Sequence, residues 1–502
     1  MAAVLTNRRN SIFTVIGTSL LAVLSGMIAS QGISPLVLIE VGIILSPLVL
    51  LTTPEAMLTG SLAFGFIVAG LVQYFGRIDQ IHWLVALLFL TMLARLPLVI
   101  FSQASVNEIR RFTLISVCLL SFCAMAILSI GVNASPPMQA IVGLKHYLLP
   151  LALTGLISFG RFTPNFWLKV WRWIPNLLLI QLPVVLYQYL FVATGRVNVS
   201  AAQGISWDAI VGTFGGNPDG GGASGALAFF LCFGIVATLA LRRGMLISAA
   251  HAWGSIASAV LVIVLAEIKV VVVFLPVAVL AYRRREVFRS VPSAFGWVVG
   301  TGLFAPGLLA LYSVIHWSQS GLHLNSLSDI FDYVFKAESD VRYSNRESGE
   351  LSRSAALFMW WSEHVNSNDY VHALFGHGPA ATKISATIGV GEVASLYQVH
   401  LNTSTLSALL WDIGFIGTTA LLAALSAAVF VAFSNAKNLA AKSPALCAIY
   451  EGCGVGALLL IVDLPYNLDV MSNAAVQMTM ATVFGIVLST NRLNAQQQSL
   501  PP

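Results

Sequence analysis

The chain has 502 residues, of which 57% are apolar and only 9% charged, and its mean hydropathy is +0.83. Soluble domains carry about 25% charged residues, so the composition excludes an ordinary soluble protein, and the apolar content excludes a disordered one. The net charge of +5 does not indicate a nucleic-acid partner, because the basic residues are dispersed among short connecting segments and do not form one basic surface.

Apolar runs of about 20 residues recur along the chain, and this is the length that crosses a membrane as a helix. The runs do not alternate between polar and apolar residues, which excludes an outer-membrane β-barrel. We therefore predict an all-α polytopic membrane protein with about 12–14 transmembrane helices. The runs lie near residues 11–30, 33–51, 56–76, 80–101, 112–132, 140–160, 173–194, 224–241, 247–266, 268–282, 292–316, 402–433, 446–463 and 468–489.

The polar segments divide the chain into four parts. Residues 1–316 form the first part of the transmembrane bundle, which contains a Gly-rich loop at 195–222. Residues 317–399 form one large, partly helical loop, residues 400–490 the C-terminal transmembrane helices, and residues 491–502 a tail. Most Lys and Arg residues lie in alternate connecting segments, which predicts that both termini are cytoplasmic and that both long loops are periplasmic.

The first run and the cysteines carry simple expectations. Arg8 and Arg9 precede an apolar stretch that is too long for a signal-peptide core, so we expect an uncleaved first span. The five cysteines lie in or beside apolar runs without the spacing of a metal site, so we expect small buried side chains. Neither a metal nor another cofactor is predicted.

Ionisable residues lie at the predicted outer ends of several spans, where burial is costly. Lys145 occurs in GLKHYLLP, and Glu267 and Lys269 occur in EIK at the turn between two spans. One interpretation is a partly desolvated basic site at the outer face that binds an anionic head group. In the other, these charges are structural, and Glu267 and Lys269 neutralise each other at a tight hairpin.

The Gly-rich loop contains GTFGGNPDGGGASG at 212–225. It is not a P-loop, because no Gly-Lys-Ser or Gly-Lys-Thr follows. Its glycines allow a backbone nest for a phosphate, and Asn217 can cap the helix that follows. A plain turn that begins this helix is the alternative.

The large loop contains LSRSAALFMWWSEHV at 351–365, whose apolar residues predict a helix that lies on the membrane surface and ends at LFGHGP. If the preceding stretch were also helical, Arg342, Arg346 and Arg353 would share one face. These arginines either pair with nearby glutamates or bind an anion, for which Arg is the preferred partner.

The loop ends in VHLNTSTLSALLWDIGFIG at 399–417, which places His400 at the outer mouth of a span and Asn402 just after it. A histidine in this place can accept a proton from a sugar hydroxyl near neutral pH. A hydrogen-bonded structural histidine is the alternative.

These last residues resemble the signature of the O-antigen ligase and O-antigen polymerase superfamily. That signature has a histidine and an asparagine at the end of the large outer loop, a Leu-rich stretch, and an acidic residue, here Asp412, followed by Gly-x-x-Gly. The segments GLKHYLLPL, YQYLFVATGRVNV…GTFGGNPD, EIK and LSRSAALFMWW…LFGHGP are similar to further family elements in the same order. The resemblance covers roughly residues 140–490.

The resemblance implies glycan transfer from an undecaprenyl-diphosphate-linked donor to an acceptor hydroxyl at the periplasmic face of the bacterial inner membrane, without a metal. It implies that His400 deprotonates the acceptor. The family histidine normally stands eleven residues before the first glycine of Gly-x-x-Gly, a position that Thr403 occupies here, so His377 is a second candidate. The residues expected to bind the diphosphate are Lys145, Arg196, Lys269 and Arg353, with Arg346 added by the loop pattern, and those expected to support the site are Asn217, Glu267, Asn402 and Asp412.

The departures from the family pattern, such as Lys269 where many members have Arg, favour polymerisation of O-antigen or exopolysaccharide repeat units. Ligation of the glycan to lipid A-core is the alternative within the family. A flippase for lipid-linked oligosaccharides is the rival from another class, and it would not need a folded outer loop that ends in a histidine. The expected partners are the lipid-linked donor, a glycan or lipid A-core acceptor, the lipid bilayer and a chain-length regulator, with no nucleic acid.

Overall fold

The structure is a computed structural model that describes residues 52–103, 113–193, 209–218, 223–266, 268–316, 344–345, 350–385 and 389–498. The predicted runs at 11–30 and 33–51 lie outside the described residues. The same holds for three predicted site residues, Arg196, Glu267 and Arg346.

The described chain is almost entirely helical, and each predicted apolar run between 56 and 489 corresponds to one helix or to consecutive helices. The transmembrane and connecting helices of the first part are α1 (Pro54–Gly76), α2 (Ile81–Gln103), α3 (Leu114–Asn133), α4 (Pro137–Tyr147), α5 (Pro150–Phe159), α6 (Pro164–Trp171), α7 (Trp173–Tyr187), α8 (Ser224–Arg243), α9 (Ala249–Ala266), α10 (Val271–Tyr282), α11 (Arg284–Val287) and α12 (Val291–His316). The helices after these are α13 (Arg353–Trp360), α14 (Tyr370–Phe375), α15 (Glu392–Tyr397), α16 (Thr405–Leu439), α17 (Pro444–Asp463), α18 (Asp469–Ser472), α19 (Ala474–Leu488) and α20 (Thr490–Gln498). Segments of π-helix occur at Phe64–Val68, Gln188–Ala193 and Trp361–Asn366.

Eight helical runs among the described residues are long and apolar enough to cross a membrane, and there are up to ten if each bent pair is one span. The bent pairs are α4 with α5, at 41°, and α19 with α20, at 61°. The prediction of an all-α polytopic membrane protein is confirmed.

The core centres on α8, α17 and α19, whose side chains are buried on nearly all sides. Within the most apolar window, 89% of α8 is buried but only 33% of α3. Large apolar side chains such as Leu120 and Ile127 on α3 are exposed, which is expected of a helix that faces lipid and not water. All five cysteines are free. Cys232 and Cys453 are fully buried, as predicted, whereas Cys118, Cys123 and Cys447 are only partly buried.

Two short antiparallel strand pairs lie in the loop region, β1 (Ser344–Asn345) with β2 (Glu350–Leu351) and β3 (Ile384–Ser385) with β4 (Gly389–Val390). The first pair shows that the stretch before Arg353 is not helical throughout, which was the condition for Arg342, Arg346 and Arg353 to share one face. Arg342 and Arg346 themselves lie outside the described residues. The chain reverses between β1 and β2, and α13 begins only at Arg353, where the Ser352 side chain caps it by accepting from the Ala355 amide.

The helix α16 is interrupted at Gly414, whose φ of 71° and ψ of −176° belong to a region open essentially only to glycine. Three consecutive backbone carbonyls in the turn before the break accept hydrogen bonds from outside the helix. Leu410 accepts from the Trp360 indole at 3.1 Å, Trp411 from the His377 amide at 2.8 Å, and Asp412 from the Gly378 amide at 2.9 Å. The large loop therefore docks on α16 at this break.

The described part of the Gly-rich loop, residues 209–218, lies between the helices, with Ala209 to Gly215 buried. The Gln188 side chain accepts from the Gly212 amide at 2.8 Å, and the Gln181 side chain accepts from the Thr213 amide at 2.9 Å. Because Gln181 lies in the middle of α7, this segment enters the bundle and does not form an open outer turn.

We expect Gly414→Ala to lower the thermal unfolding temperature of the detergent-solubilised protein. A Cβ at this position would lie 2.3 Å from the Leu374 carbonyl oxygen, and the backbone conformation would be strained as well. The expected cost is about 2 kcal/mol or more. Gly131→Ala is the control, because a Cβ there meets no atom within 4 Å. Equal unfolding temperatures for the two variants would contradict the docking at Gly414.

Candidate functional site

Two adjoining cavities lie among the helices, and the segment 376–383 of the large loop contributes to the lining of the first of them. One is lined by His146, Lys383, Asn402 and Asp412 among others, and the next by His82, Lys145 and His146. His146 and Ser472 line both. We call the two together the basic cavity, after its four basic side chains, His82, Lys145, His146 and Lys383.

The two lysines are held by neutral partners. The Lys145 ammonium lies 4.2 Å from the centroid of the Trp83 ring. The Lys383 ammonium lies 2.5 Å from His146 Nε2, and His146 Nδ1 lies 3.0 Å from the Met471 carbonyl oxygen. A neutral His146 with its proton on Nδ1 satisfies both contacts, because it donates to Met471 and accepts from Lys383.

Among the described residues, no carboxylate forms an ion pair with Lys145 or Lys383. Burial and the charge of Lys145 lower the pKa of Lys383 to about 8, although Asp412 acts in the opposite direction. The cavity therefore carries positive charge near pH 7, and none of the described side chains forms an ion pair with it. Such a site favours an anion.

Asp412, the carboxylate beside the cavity, is buried and already fully hydrogen-bonded. One oxygen accepts from the Tyr147 hydroxyl at 2.7 Å and from the Ala380 amide at 2.7 Å. The other accepts from the Thr382 amide at 3.0 Å and the Thr382 hydroxyl at 2.9 Å. Asp412 thus fixes the loop residue next to Lys383 against α4 and α16.

His377 belongs to a cluster of three histidines. Its Nε2 lies 2.9 Å from His364 Nε2, and its ring stacks on His372 with the centroids 4.1 Å apart. Asp369 contacts His372 Nδ1 at 2.6 Å. Burial and the neighbouring histidines lower the pKa of His377 to about 3, so this histidine is neutral at physiological pH. No group of His, Cys, Asp or Glu in the described parts of the chain has the arrangement of a metal site.

His400 lies between α15 and α16 and is partly exposed. Asn402, two residues further on, lines the basic cavity. His400 itself does not line the cavity, whereas His377 is packed among the rings of His364, His372 and Trp411.

Lys269 and Arg353 do not line the basic cavity. Arg353 Nε donates to the Tyr466 carbonyl, and its guanidinium lies 4.2 Å from the centroid of the Tyr466 ring. Lys269 lies on the turn between α9 and α10, and Phe274 of α10 contacts the same Tyr466 ring at 6.3 Å. Asn217 is exposed on the Gly-rich segment, and α8 begins after Ala223 without a hydrogen bond from a capping side chain, so the cap predicted for Asn217 is wrong.

Sequence reasoning missed three of the four basic residues of the cavity. His146 directly follows the predicted Lys145, and Lys383 lies six residues after His377, so proximity in sequence was a usable signal for both. His82 had no such signal, because an apolar run does not reveal which other helix it contacts.

No protein-family model matches the chain, and no curated protein matches it in sequence.

We expect Asp412→Asn to destabilise the docked loop, because an amide nitrogen would face the amide donors that the carboxylate now accepts from. The expected loss is about 2–3 kcal/mol, with faster hydrogen–deuterium exchange across residues 376–383. Thr382→Val removes only one of these hydrogen bonds and should have a smaller effect. Wild-type exchange in Asp412→Asn would rule out the anchoring role.

Proposed function

We propose that the protein is a membrane glycosyltransferase that polymerises polysaccharide repeat units from an undecaprenyl-diphosphate-linked donor at the periplasmic face of the bacterial inner membrane. The observation that carries this proposal is the basic cavity, which lies between transmembrane helices and the large loop and holds two lysines that no described carboxylate pairs. The resemblance of the loop and the following span to the O-antigen polymerase and ligase signature supports it.

The donor diphosphate would bind against Lys145 and Lys383, with the two cavity histidines beside them. Negative charge develops on the diphosphate as it leaves the sugar, so fixed cations in a partly buried site stabilise the transition state more than they would in water. Lys269 and Arg353 remain predicted contributors from the neighbouring region around Tyr466.

The acceptor sugar would enter from the aqueous side, where His400 is partly exposed. His400 would take the proton of the acceptor hydroxyl as its oxygen attacks the anomeric carbon of the donor. The bond between that carbon and the phosphate oxygen would break, and undecaprenyl diphosphate would leave with the bonding electrons. His377 stays the second candidate base, with its Nε2 already contacted by His364.

Polymerisation and ligation share this chemistry and differ only in the acceptor. In this proposal the acceptor is a second lipid-linked repeat unit, so the lipid bilayer delivers both substrates. Both termini are cytoplasmic. A chain-length regulator is a further partner.

The direct test is glycan transfer by the purified protein with an undecaprenyl-diphosphate-linked oligosaccharide as donor. We expect Lys145→Gln and Lys383→Gln each to lower the rate by about 100-fold, the usual effect of removing one group that stabilises developing charge. Lys169→Gln is the matched control, because Lys169 is an exposed lysine on α6 and does not line the cavity. Transfer only to lipid A-core would identify a ligase, and no transfer to either acceptor would contradict the proposal.

The same assay tests the base. We expect His400→Ala to lower the rate by about 100-fold or more, which is the typical contribution of a general base. An unchanged rate would exclude His400, and His377→Ala would then be expected to show the loss.

Donor binding should weaken as the pH rises through about 8, because Lys383 loses its proton there. Lys383 is charged below this pH and neutral above it, so the affinity for the donor is retained below about pH 8. In Lys383→Arg the guanidinium stays charged, and we expect the loss at high pH to become smaller. A wild-type affinity that is constant from pH 7 to pH 9.5 would exclude Lys383 as a ligand.

A further inference from the structure

A second cationic site lies at the other end of the bundle. The segment that follows Asp463 at the end of α17 lines the basic cavity. Glu451 stands twelve residues before Asp463 on the same helix, which places it about 18 Å from that end. Around Glu451 gather the C-terminal end of α8, the segment after α10, and the ring of Phe433 from α16.

The geometry around Glu451 leaves hydrogen bonds unmade. Its carboxylate is only 3% exposed, and it lies 3.8 Å from Arg243 Nη1 and 4.0 Å from Arg284 Nη2. Both distances exceed the range of a direct hydrogen bond. Arg284 Nη2 is buried and has no hydrogen-bond partner, while Nη1 donates to the Ala281 carbonyl at 3.1 Å.

Positive charge exceeds negative charge in this region. The ends of α8, α10 and α11 carry six arginines, and the neighbouring carboxylates are Glu451 and Glu286. Glu286 already pairs with Arg283 at 2.6 Å. Glu451 therefore cannot neutralise the arginines that face it.

An orientation signal alone does not explain this arrangement. Basic residues that orient a membrane protein act from connecting segments and need no burial. Arg284 instead packs over the Phe433 ring, with its guanidinium carbon 3.8 Å from the centroid, and keeps one buried donor without a partner. Such a fork of donors matches the oxygens of a phosphate group.

We propose that Arg243, Arg284, Glu451 and Phe433, which we call the arginine pocket, bind the phosphate head group of an anionic phospholipid. A lipid fits better than soluble phosphate because Phe430, one turn from Phe433 toward the middle of α16, is 76% exposed. In a membrane-spanning helix this ring faces acyl chains. The arginine pocket and the Phe430 ring therefore offer adjoining binding surfaces for the head group and the acyl chains of one lipid. Basic pockets between helices recognise anionic head groups in this way.

The test uses the full-length protein in neutral detergent and measures retained lipid by native mass spectrometry. We titrate phosphatidylglycerol, phosphatidylcholine and inorganic phosphate separately. Phosphatidylglycerol should bind most tightly, and Arg284→Gln should weaken it about tenfold. Glu451→Gln should strengthen it, since it removes the negative charge that competes with the phosphate.

Lys442→Gln is the matched control, because it removes one exposed positive charge from the segment between α16 and α17. The proposal fails if phosphatidylcholine binds as tightly as phosphatidylglycerol, or if Lys442→Gln and Arg284→Gln weaken binding equally. Inorganic phosphate that binds as tightly as the lipid would overturn the lipid assignment. If Arg284→Gln does not fold, Arg243→Gln replaces it, because the Arg243 side chain is 54% exposed and tolerates replacement better.

Discussion

The break of α16 at Gly414 is the constraint on which the candidate site depends. A carbonyl that loses its helical partner inside a membrane protein must find another donor, because hydrocarbon supplies none. The large loop supplies these donors through the His377 and Gly378 amides, and Asp412 adds a carboxylate that accepts from the next residues of the loop. A loop that would otherwise lie in water is thereby joined to the transmembrane bundle.

This connection also explains why the cavity is basic. Lys383 directly follows the residues that Asp412 holds, so its ammonium is directed inward to His146 and not toward solvent. Lys145 approaches from α4 and rests on Trp83. Asp412, the carboxylate that lines this cavity, uses both oxygens to hold the loop, and so the positive charge remains available to a ligand.

The sequence predicted those features that depend on local pattern. The apolar runs located the helices, and Lys145, Asn402 and Asp412, which were singled out from charge or motif alone, all line the basic cavity. The stretch before Arg353 is not one continuous helix, because β1 and β2 form an antiparallel pair there, and residue spacing cannot reveal such a pair. Lys383 and the break at Gly414 escaped because both depend on contacts between distant segments, and hydrophobic periodicity carries no information about these.

The buried Gly-rich segment has a consequence for the order in which the protein is assembled. Its Thr213 amide can be satisfied as soon as α7 is in the membrane, since Gln181 precedes it in the chain. The Phe214 carbonyl accepts from Asn473, which is synthesised 259 residues later. This segment therefore cannot make all of its final hydrogen bonds until the chain has been synthesised as far as Asn473.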